Sequence, residues 1–559
     1  MDAVKTLDEV EERESAVAER SGGSGRLVRW LLLLGAITLV SVIACRNIRQ
    51  GEFDYYVDEA QHAVTGLFVA DAMHDLPLRH PVQYAYAYYA QYPAVAILHW
   101  PPLFYIFEGI SFLVLGASAV SARVTVILFE IVLLYEFFLL VEELHDSYTA
   151  AISTAILGLL PVIVLFEKTV MLEIPSLALA VGAIRHWIRY LDRGERKSFY
   201  YFGLWLSAAL LCKQTSVFLI LFCVLTLAVT RRWKRVWTRD TIAVAGMVAV
   251  LAGPFLTLML LMQGRAMASD LGSRRMSGWE QASYYASSLP NSFSPLMFAL
   301  AALGFVLAWR WNKREQSLVM ACWIIAGYVT FSFFGQKDFR FAIYWFPPLV
   351  YFAVGLLTQF FRIPRLRVAM RAVAGFLVVV LSLSAWGEQR PYISGYENVA
   401  SLLVNQYHAG VVLFDGRVPG NFVFYMRALD PARHFLVLRK LLYADDIRPG
   451  VNSEELLHGR EELMDAFRRD GIRFVVVSEK LPLRFEVQRI LREELRGDQF
   501  QLLGRFPISS NDPSWQGENL LLYENKQWAA PSDKVLRIRM LTLPRDIVVP
   551  FEQFEVQQP

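Results

Sequence analysis

Apolar positions along the 559-residue chain follow two regimes. Up to about residue 385 they form long runs separated by short polar clusters, occupying 27–45, 102–115, 124–140, 149–166, 174–190, 199–211, 216–229, 241–262, 293–308, 317–334, 341–361 and 368–385. A helix needs about 20 mostly apolar residues to cross a bilayer, and somewhat fewer where flanking side chains snorkel. The runs therefore predict a polytopic α-helical membrane domain over 26–385. Beyond it the period changes. Buried strands are expected at 411–414, 434–438, 474–477 and 520–523, and amphipathic helices at 454–469 and 485–495. Alternating strands and helices predict a soluble α/β domain over 386–559. Residues 1–25 mix Glu and Arg with Ser-Gly-Gly-Ser-Gly and read as a disordered tail.

Charge placement orients the runs. Short basic loops stay on the cytoplasmic side, and four stand out at 193–197, 231–239, 310–314 and 362–371. The first two flank 199–229, so that segment crosses twice and breaks at the polar Lys213-Gln214-Thr215. With Arg26 and Arg29 also inside, run 27–45 leads outward. No small-residue cleavage site follows it, so it is expected to remain as an anchor. Five runs lie between Arg29 and Arg193, where parity allows only an even number of crossings after the first basic cluster. The odd one is 102–115, which is short, contains Glu108 and follows His99-Trp100-Pro101-Pro102; it is expected to lie juxtamembrane in the outer interface. The layout has about eleven transmembrane helices, a cytoplasmic amino terminus, a long first external loop at 46–122 and an external, periplasmic-side α/β domain. The cell (inner) membrane is the expected location.

Composition agrees: 55% apolar, 14% aromatic and 19% charged residues with a net charge of +3 place the chain in the membrane class and give no basic footprint for nucleic acid. Cys45, Cys212, Cys223 and Cys322 all fall within or beside apolar runs, away from any external disulfide and without metal-site spacing. No internal repeat is evident.

Candidate chemistry gathers on the outer side. Tyr55-Tyr56-Val57-Asp58-Glu59-Ala60-Gln61-His62 places a carboxylate pair just past the first run, suited to proton transfer or, more plainly, to capping a surface helix. The stretch 46–101 is long for a connection and too aromatic for disorder. Tyr84, Tyr86, Tyr88, Tyr89 and Tyr92 offer rings for sugar stacking or for a headgroup belt. Asp71, His74, Asp75, His80 and His99 supply ligand types for a divalent metal, or are simply solvated. Glu173, in Lys168-Thr169-Val170-Met171-Leu172-Glu173-Ile174-Pro175, stands at the outer mouth of a crossing helix, to hold a polar substrate or answer the helix dipole. Glu130 and Glu136 lie inside a run, where ionisable groups are functional candidates by default and pairing is the plainer role. Gly335-Gln336-Lys337-Asp338-Phe339-Arg340-Phe341, leading into Tyr344-Trp345-Phe346-Pro347-Pro348, sets two cations at an aromatic-lined helix end. Arg340 suits a phosphate bidentately, with Lys337 or Lys213 adding a point charge. Val418-Pro419-Gly420-Asn421 after a strand is a candidate phosphate turn or an ordinary one.

Together, Tyr-x-x-Asp-Glu-Ala at 55–60, Pro101-Pro102-Leu103-Phe104-Tyr105, Glu173 in Leu-Glu-x-Pro, and Arg340-Phe341 before Pro347-Pro348 resemble the GT-C superfamily of membrane glycosyltransferases. The nearest branch is that of the protein O-mannosyltransferases and lipid A aminoarabinose transferases, glycosyltransferase family 39-like. The resemblance covers roughly 27–361. It implies a GT-C-like fold, a polyprenyl-phosphate-linked sugar as donor, and catalytic carboxylates at Asp58 and Glu59 with Asp58 as base. Glu173, Lys213, Lys337, Arg340, Tyr344 and His99 are the expected substrate-binding residues. His99-Trp100 stands where the aminoarabinose branch has Glu-Lys, which argues against the same acceptor.

The chemistry is consistent with this. A sugar phosphate already carries a good leaving group, so cations to stabilise the departing phosphate and one carboxylate to deprotonate the acceptor hydroxyl suffice. Such displacement inverts the anomeric centre, and the acceptor is a lipid, glycan or protein on the external face. The alternative class, a transporter or lipid flippase, calls for charges along a path and paired repeats. A scaffold without catalysis gives no reason for Asp58, Glu173 and Arg340 to meet.

Overall fold

The computed structural model describes residues 25–54, 57–96, 98–272, 277–310, 314–334, 337–361, 363–444, 453–541 and 545–554. The tail at 1–24, Tyr55-Tyr56, Gly335-Gln336 and Arg362 lie outside these. The apolar runs fold as helices with recognisable ends. Ser118 caps Ala119–Leu144 by accepting from Ser121 N, and Asp146 caps Ser147–Gly158 by accepting from Tyr148 N and Thr149 N. Gly194, with φ +70°, ends Glu173–Arg193 in the left-handed conformation that glycine adopts without strain. Arg196–Cys212 stops at Lys213, whose extended backbone separates it from Phe218–Thr230, so the expected break is where it was placed.

Length and composition qualify four helices for a membrane crossing: Gly25–Cys45, Ala119–Leu144, Phe339–Phe360 and Arg365–Gly387. Counting each of three bent pairs as one span gives seven, so the expected eleven is not reached among the described residues by these measures. The four other expected crossings, 174–190, 199–211, 216–229 and 317–334, are helical but fall short of that length or apolarity, and the bent pairs are single runs with a break. Run 149–166 is split by Pro161 into Ser147–Gly158 and Pro161–Glu167, bent by 70°, and 241–262 breaks at Gly253 with a bend of 48°. A helix not anticipated, Gly278–Phe293, opens with a capping box between Ser277 and Glu280 and turns through 118° into Pro295–Leu307.

Ion pairs collect the basic segments at one end. Arg232 bridges Asp192 and Glu315 at 2.7 Å each, Arg196 meets Asp240 at 2.6 Å, Arg185 meets Glu143 at 3.1 Å and Arg29 meets Glu142 at 2.7 Å. Glu173–Arg193 runs from this end to the opposite one; its 21 residues span about 30 Å, the thickness of a hydrocarbon core.

The stretch 46–122, expected to be the first external loop, is largely helical. It holds Val57–Asp75, Pro81–Gln91 and Leu103–Leu115. The last buries Phe104, Tyr105, Glu108 and Phe112 and exposes Phe107, Ile110, Val114 and Leu115, an amphipathic helix with an apolar outer face. Its buried face lies on Val57–Asp75, where Gly109 approaches the Ala70 backbone.

The C-terminal domain is built on a five-stranded sheet. In spatial order the strands are Phe435–Leu438, Gly410–Asp415, Ile472–Ser478, Asn519–Asn525 and Phe500–Pro507; the first three are parallel and the last two antiparallel additions. The four expected strands are present. Gly410–Asp415 and Phe435–Leu438 are buried at every position, as for parallel strands covered on both faces. Phe500–Pro507 escaped notice because it is an edge strand with Gly504 at an irregularity and a terminal proline. The helix expected at 454–469 begins at Arg460, after a short strand Glu454–Glu455 and Gly459.

Candidate active site

Four distant segments meet at the end of the bundle opposite the basic loops. Asp58 lies in the first turn of Val57–Asp75, where a carboxylate answers the helix dipole. Arg340 lies in the 3₁₀ turn Phe339–Trp345, whose N-cap Asp338 accepts from Arg340 N. Glu173 opens Glu173–Arg193, and Lys213 occupies the break after Arg196–Cys212. Arg340 Nη1 donates to Asp58 Oδ2 at 2.8 Å, and its Nε lies 3.1 Å from Asp338 Oδ2 and 3.9 Å from Glu173 Oε1. Lys213 Nζ donates to Glu173 Oε1 at 2.6 Å. Lys213 and Glu173 are buried, while Asp58 keeps partial access to solvent.

Aromatic rings wall this cluster. Lys213 Nζ sits 5.5 Å from the Trp100 ring and 5.9 Å from that of Phe341. Tyr344 shares its hydroxyl with Ser176 and Thr215 and stacks on Phe331 at 5.3 Å, so it braces the wall from beneath Glu173. Burial would raise the Asp58 carboxyl, but the charge and hydrogen bond of Arg340 outweigh it, with smaller help from His62 and Lys213, and hold it below its ordinary value.

His62, which sequence reasoning passed over, is one turn beyond Asp58 in the same motif. Its Nδ1 is 2.7 Å from the Tyr105 hydroxyl and its ring faces Trp100 at 6.1 Å. Burial pushes its pKa down to about 4, so the imidazole is neutral above that pH. The i, i+4 spacing to Asp58 was the available signal.

The remaining expected site residues lie elsewhere. Glu59 faces away from Asp58: fully buried, it accepts from Asp54 N and from Val170 N at 2.9 Å, with Arg123 4.0 Å away. Lys337 donates to Phe331 O and Ser332 O at 2.9 Å, closing the end of Arg314–Ser332. His99 packs edge-on against Trp100 at 4.7 Å, and it is Trp100 that meets Lys213. Glu136 pairs with Arg185 at 2.5 Å, the plainer of its two readings.

The carboxylates considered for a divalent metal serve domain docking instead. Arg427 Nε donates to Asp71 Oδ2 at 2.7 Å and Arg427 Nη2 to Asp71 Oδ1, and Tyr88 donates to Asp71 at 2.7 Å. Asp75 takes Arg433 at 2.6 Å, Tyr84 at 2.8 Å and His74 at 2.9 Å. His80 is the N-cap of Pro81–Gln91, with no side-chain cap bond. No three His, Cys, Asp or Glu side chains converge for a metal among the described residues. Tyr84, Tyr88 and Tyr92 follow one another as tilted ring pairs at 6.1 and 5.1 Å, with Arg433 over the Tyr88 ring at 5.9 Å.

Residues 99–258 match the dolichyl-phosphate-mannose-protein mannosyltransferase family. No curated protein matches the chain. Among solved structures, ArnT from Cupriavidus metallidurans bound to undecaprenyl phosphate superposes with a TM-score of 0.57 over 89% of this chain and 98% of its own, at 13% identity. The oligosaccharyltransferase of Archaeoglobus fulgidus, in complex with Zn and sulfate, gives 0.52 over 80% and 68%, at 12% identity. The arabinofuranosyltransferase AftD from Mycobacteria gives 0.56 over 90% of this chain and 40% of its own, at 15% identity. The apolar helical core, the strand-containing C-terminal domain and the match over 99–258 together show the GT-C fold, the fold of the membrane glycosyltransferases that the motifs of this sequence resemble.

Proposed function

We propose that this protein transfers a sugar from a polyprenyl-phosphate donor to an acceptor hydroxyl on the external face of the membrane, with inversion at the anomeric carbon. The observation that carries this reading is the convergence of Asp58, Glu173, Lys213 and Arg340, linked at 2.8, 3.9 and 2.6 Å. ArnT, which shares the fold, binds undecaprenyl phosphate, and the family matched over 99–258 is one of mannosyltransferases acting from a dolichyl phosphate. The basic end of the bundle, about 30 Å away along Glu173–Arg193, faces the cytoplasm by the charge rule, which puts the cluster and the C-terminal domain outside.

Without substrate, Arg340 is held by Asp58 and Asp338. An incoming phosphate competes for that guanidinium and draws it from Asp58, with Lys213 as the second cation. The carboxylate freed from its partner becomes the stronger base, because burial then dominates its pKa. Asp58 takes the acceptor proton as the hydroxyl oxygen bonds to the anomeric carbon; the bond from that carbon to the phosphate oxygen breaks, and Arg340 and Lys213 hold the departing polyprenyl phosphate. Glu173 keeps Lys213 in place. Glu59, bonded to Val170 N, ties the turn bearing Glu173 to the helix bearing Asp58, a positioning role. Hexose or pentose, the transferred group meets a site walled by Trp100, Phe341 and Tyr344.

Asp58→Asn tests the central assignment. The variant is expected to accumulate in the membrane and to lose sugar transfer by at least ~10². Transfer near the wild-type rate removes Asp58 from the role of base.

A further inference from the structure

We propose that the C-terminal domain aims Asp58, and that Gly420 is the positioning residue through which it does so. The proposal rests on the reading of Asp58 as the base. The stretch 418–421, a candidate phosphate turn by sequence, is instead the start of the helix Pro419–Leu429, and it meets the helix Val57–Asp75 side by side.

The two helices touch at successive levels. At the amino end, a methyl group at position 420 would stand 2.9 Å from the Ala60 Cβ, while the Ala60 C and Gln61 N at 3.6 Å are at ordinary contact, so only a hydrogen fits against the Ala60 methyl. Beside it, Phe424 packs edge-on to Phe53, in the bend that leads into Val57–Asp75, at 4.8 Å. At the carboxyl end, Arg427 grips Asp71 at two points, with Nε to Oδ2 at 2.7 Å, and both side chains are buried. Ahead of Pro419, Val418 is held at φ +44°, a left-handed conformation a β-branched residue adopts only when its surroundings impose it. The approach of Gly420 to Ala60 is therefore fixed from both sides.

Ala60 is two residues from Asp58, about 3 Å along the helix axis. With Asp71 anchored, a push at Ala60 swings the amino end and carries Asp58 with it. Restoring ordinary carbon contact from 2.9 Å requires a shift of about 0.8 Å. Asp58 has only 2.8 Å to Arg340 to keep, and misplacement of a reacting group by about 1 Å costs up to ~10² in rate.

The test uses the full-length protein in liposomes with undecaprenyl-phosphate-linked mannose, glucose and arabinose as donors, following release of undecaprenyl phosphate. Gly420→Ala is expected to lower kcat ~10- to 100-fold while the donor KM stays within about twofold. Combining it with Ala60→Gly removes the opposing methyl and restores kcat to within about threefold of Ala60→Gly alone, a rescue that separates aim from general damage. If Gly420→Ala does not accumulate, Arg427→Lys, which keeps the charge and loses the two-point grip, is expected to lower kcat severalfold at unchanged donor KM. Wild-type kcat in Gly420→Ala, a double variant as slow as Gly420→Ala, or, where that arm is used, wild-type kcat in Arg427→Lys overturns the proposal. Asp58→Asn run in parallel separates the failures. If it is active, or if the wild-type protein turns over none of the three donors, the reading beneath falls; if it is inactive while Gly420→Ala is at full rate, only the aiming role falls.

Discussion

Replacing Arg340 by Gln tests the two roles assigned to one guanidinium. Arg340 holds Asp58 at 2.8 Å and, in the proposed reaction, is the cation offered to the donor phosphate. Losing a preorganised charge from developing phosphate charge costs about 3–4 kcal/mol, or ~10² to 10³ in transfer rate. The stability cost is far smaller. The Asp58 side chain is 30% exposed, and a pair that reaches solvent contributes at most about 1 kcal/mol after screening. The pH profile supplies the sharper readout. Burial raises the Asp58 carboxyl and Arg340 lowers it, with a net value below the ordinary one, so the wild-type base stays ionised until the pH drops below the usual carboxylate range. Without Arg340 burial prevails, the carboxyl rises, and the acid limb of the rate profile moves to higher pH. The assay is transfer in liposomes across pH 3.5 to 8, paired with the affinity for undecaprenyl phosphate. An Arg340→Gln variant with wild-type undecaprenyl phosphate affinity and an unmoved acid limb would refute the argument.

Other expectations follow from neighbouring contacts. Glu173→Gln leaves Lys213 buried without its carboxylate and should cost about 3–5 kcal/mol, read as a lower melting temperature; unchanged melting would mean the pair is not buried as described. Adding Lys213→Met to Glu173→Gln should recover much of that stability and none of the activity, whereas recovered transfer would exclude Lys213 from phosphate binding. Glu52 accepts from Gly395 N, Tyr396 N and Glu397 N at the seam between the first external loop and the C-terminal domain, and burial raises its pKa to about 7. The folded state thus holds a proton that the unfolded chain releases near pH 4.5. Stability from this group is present below pH 4.5 and declines as pH rises to 7, by about 3 kcal/mol. Thermal unfolding of Glu52→Gln should lack that slope, and an identical slope in both proteins would contradict it.

Much of the site was legible because charge stands out against apolar runs. Lys213 broke a segment that parity required to cross twice, and Asp58, Glu173 and Arg340 each interrupt an apolar stretch at one end of the bundle. Partners remote in the chain were not legible. Asp71 and Asp75 read as metal ligands or solvated carboxylates because Arg427 and Arg433 lie some 350 residues on, and nothing local announces a salt bridge across that distance. Glu59 reads with Asp58 as a catalytic pair, yet adjacent helical residues point about 100° apart, and its side chain turns into the protein toward Val170 N. The helix Pro419–Leu429 was hidden by Pro-Gly at its start, a pair that signals a turn when its packing partner is unknown. Pro161 and Gly253 likewise bend runs that hydropathy sees as continuous.

The two-point grip of Arg427 on Asp71 also has a temporal side. The residues it joins are 356 apart, so at 5–20 residues per second the helix bearing Asp58 is made roughly 20 to 70 s before the segment that clamps it emerges. Throughout that interval Asp71 and Asp75 wait without their arginines, and the nascent protein is incomplete however well its helices have formed. Lesions anywhere in 419–433 should thus surface first as slow maturation and early proteolysis of newly made chains.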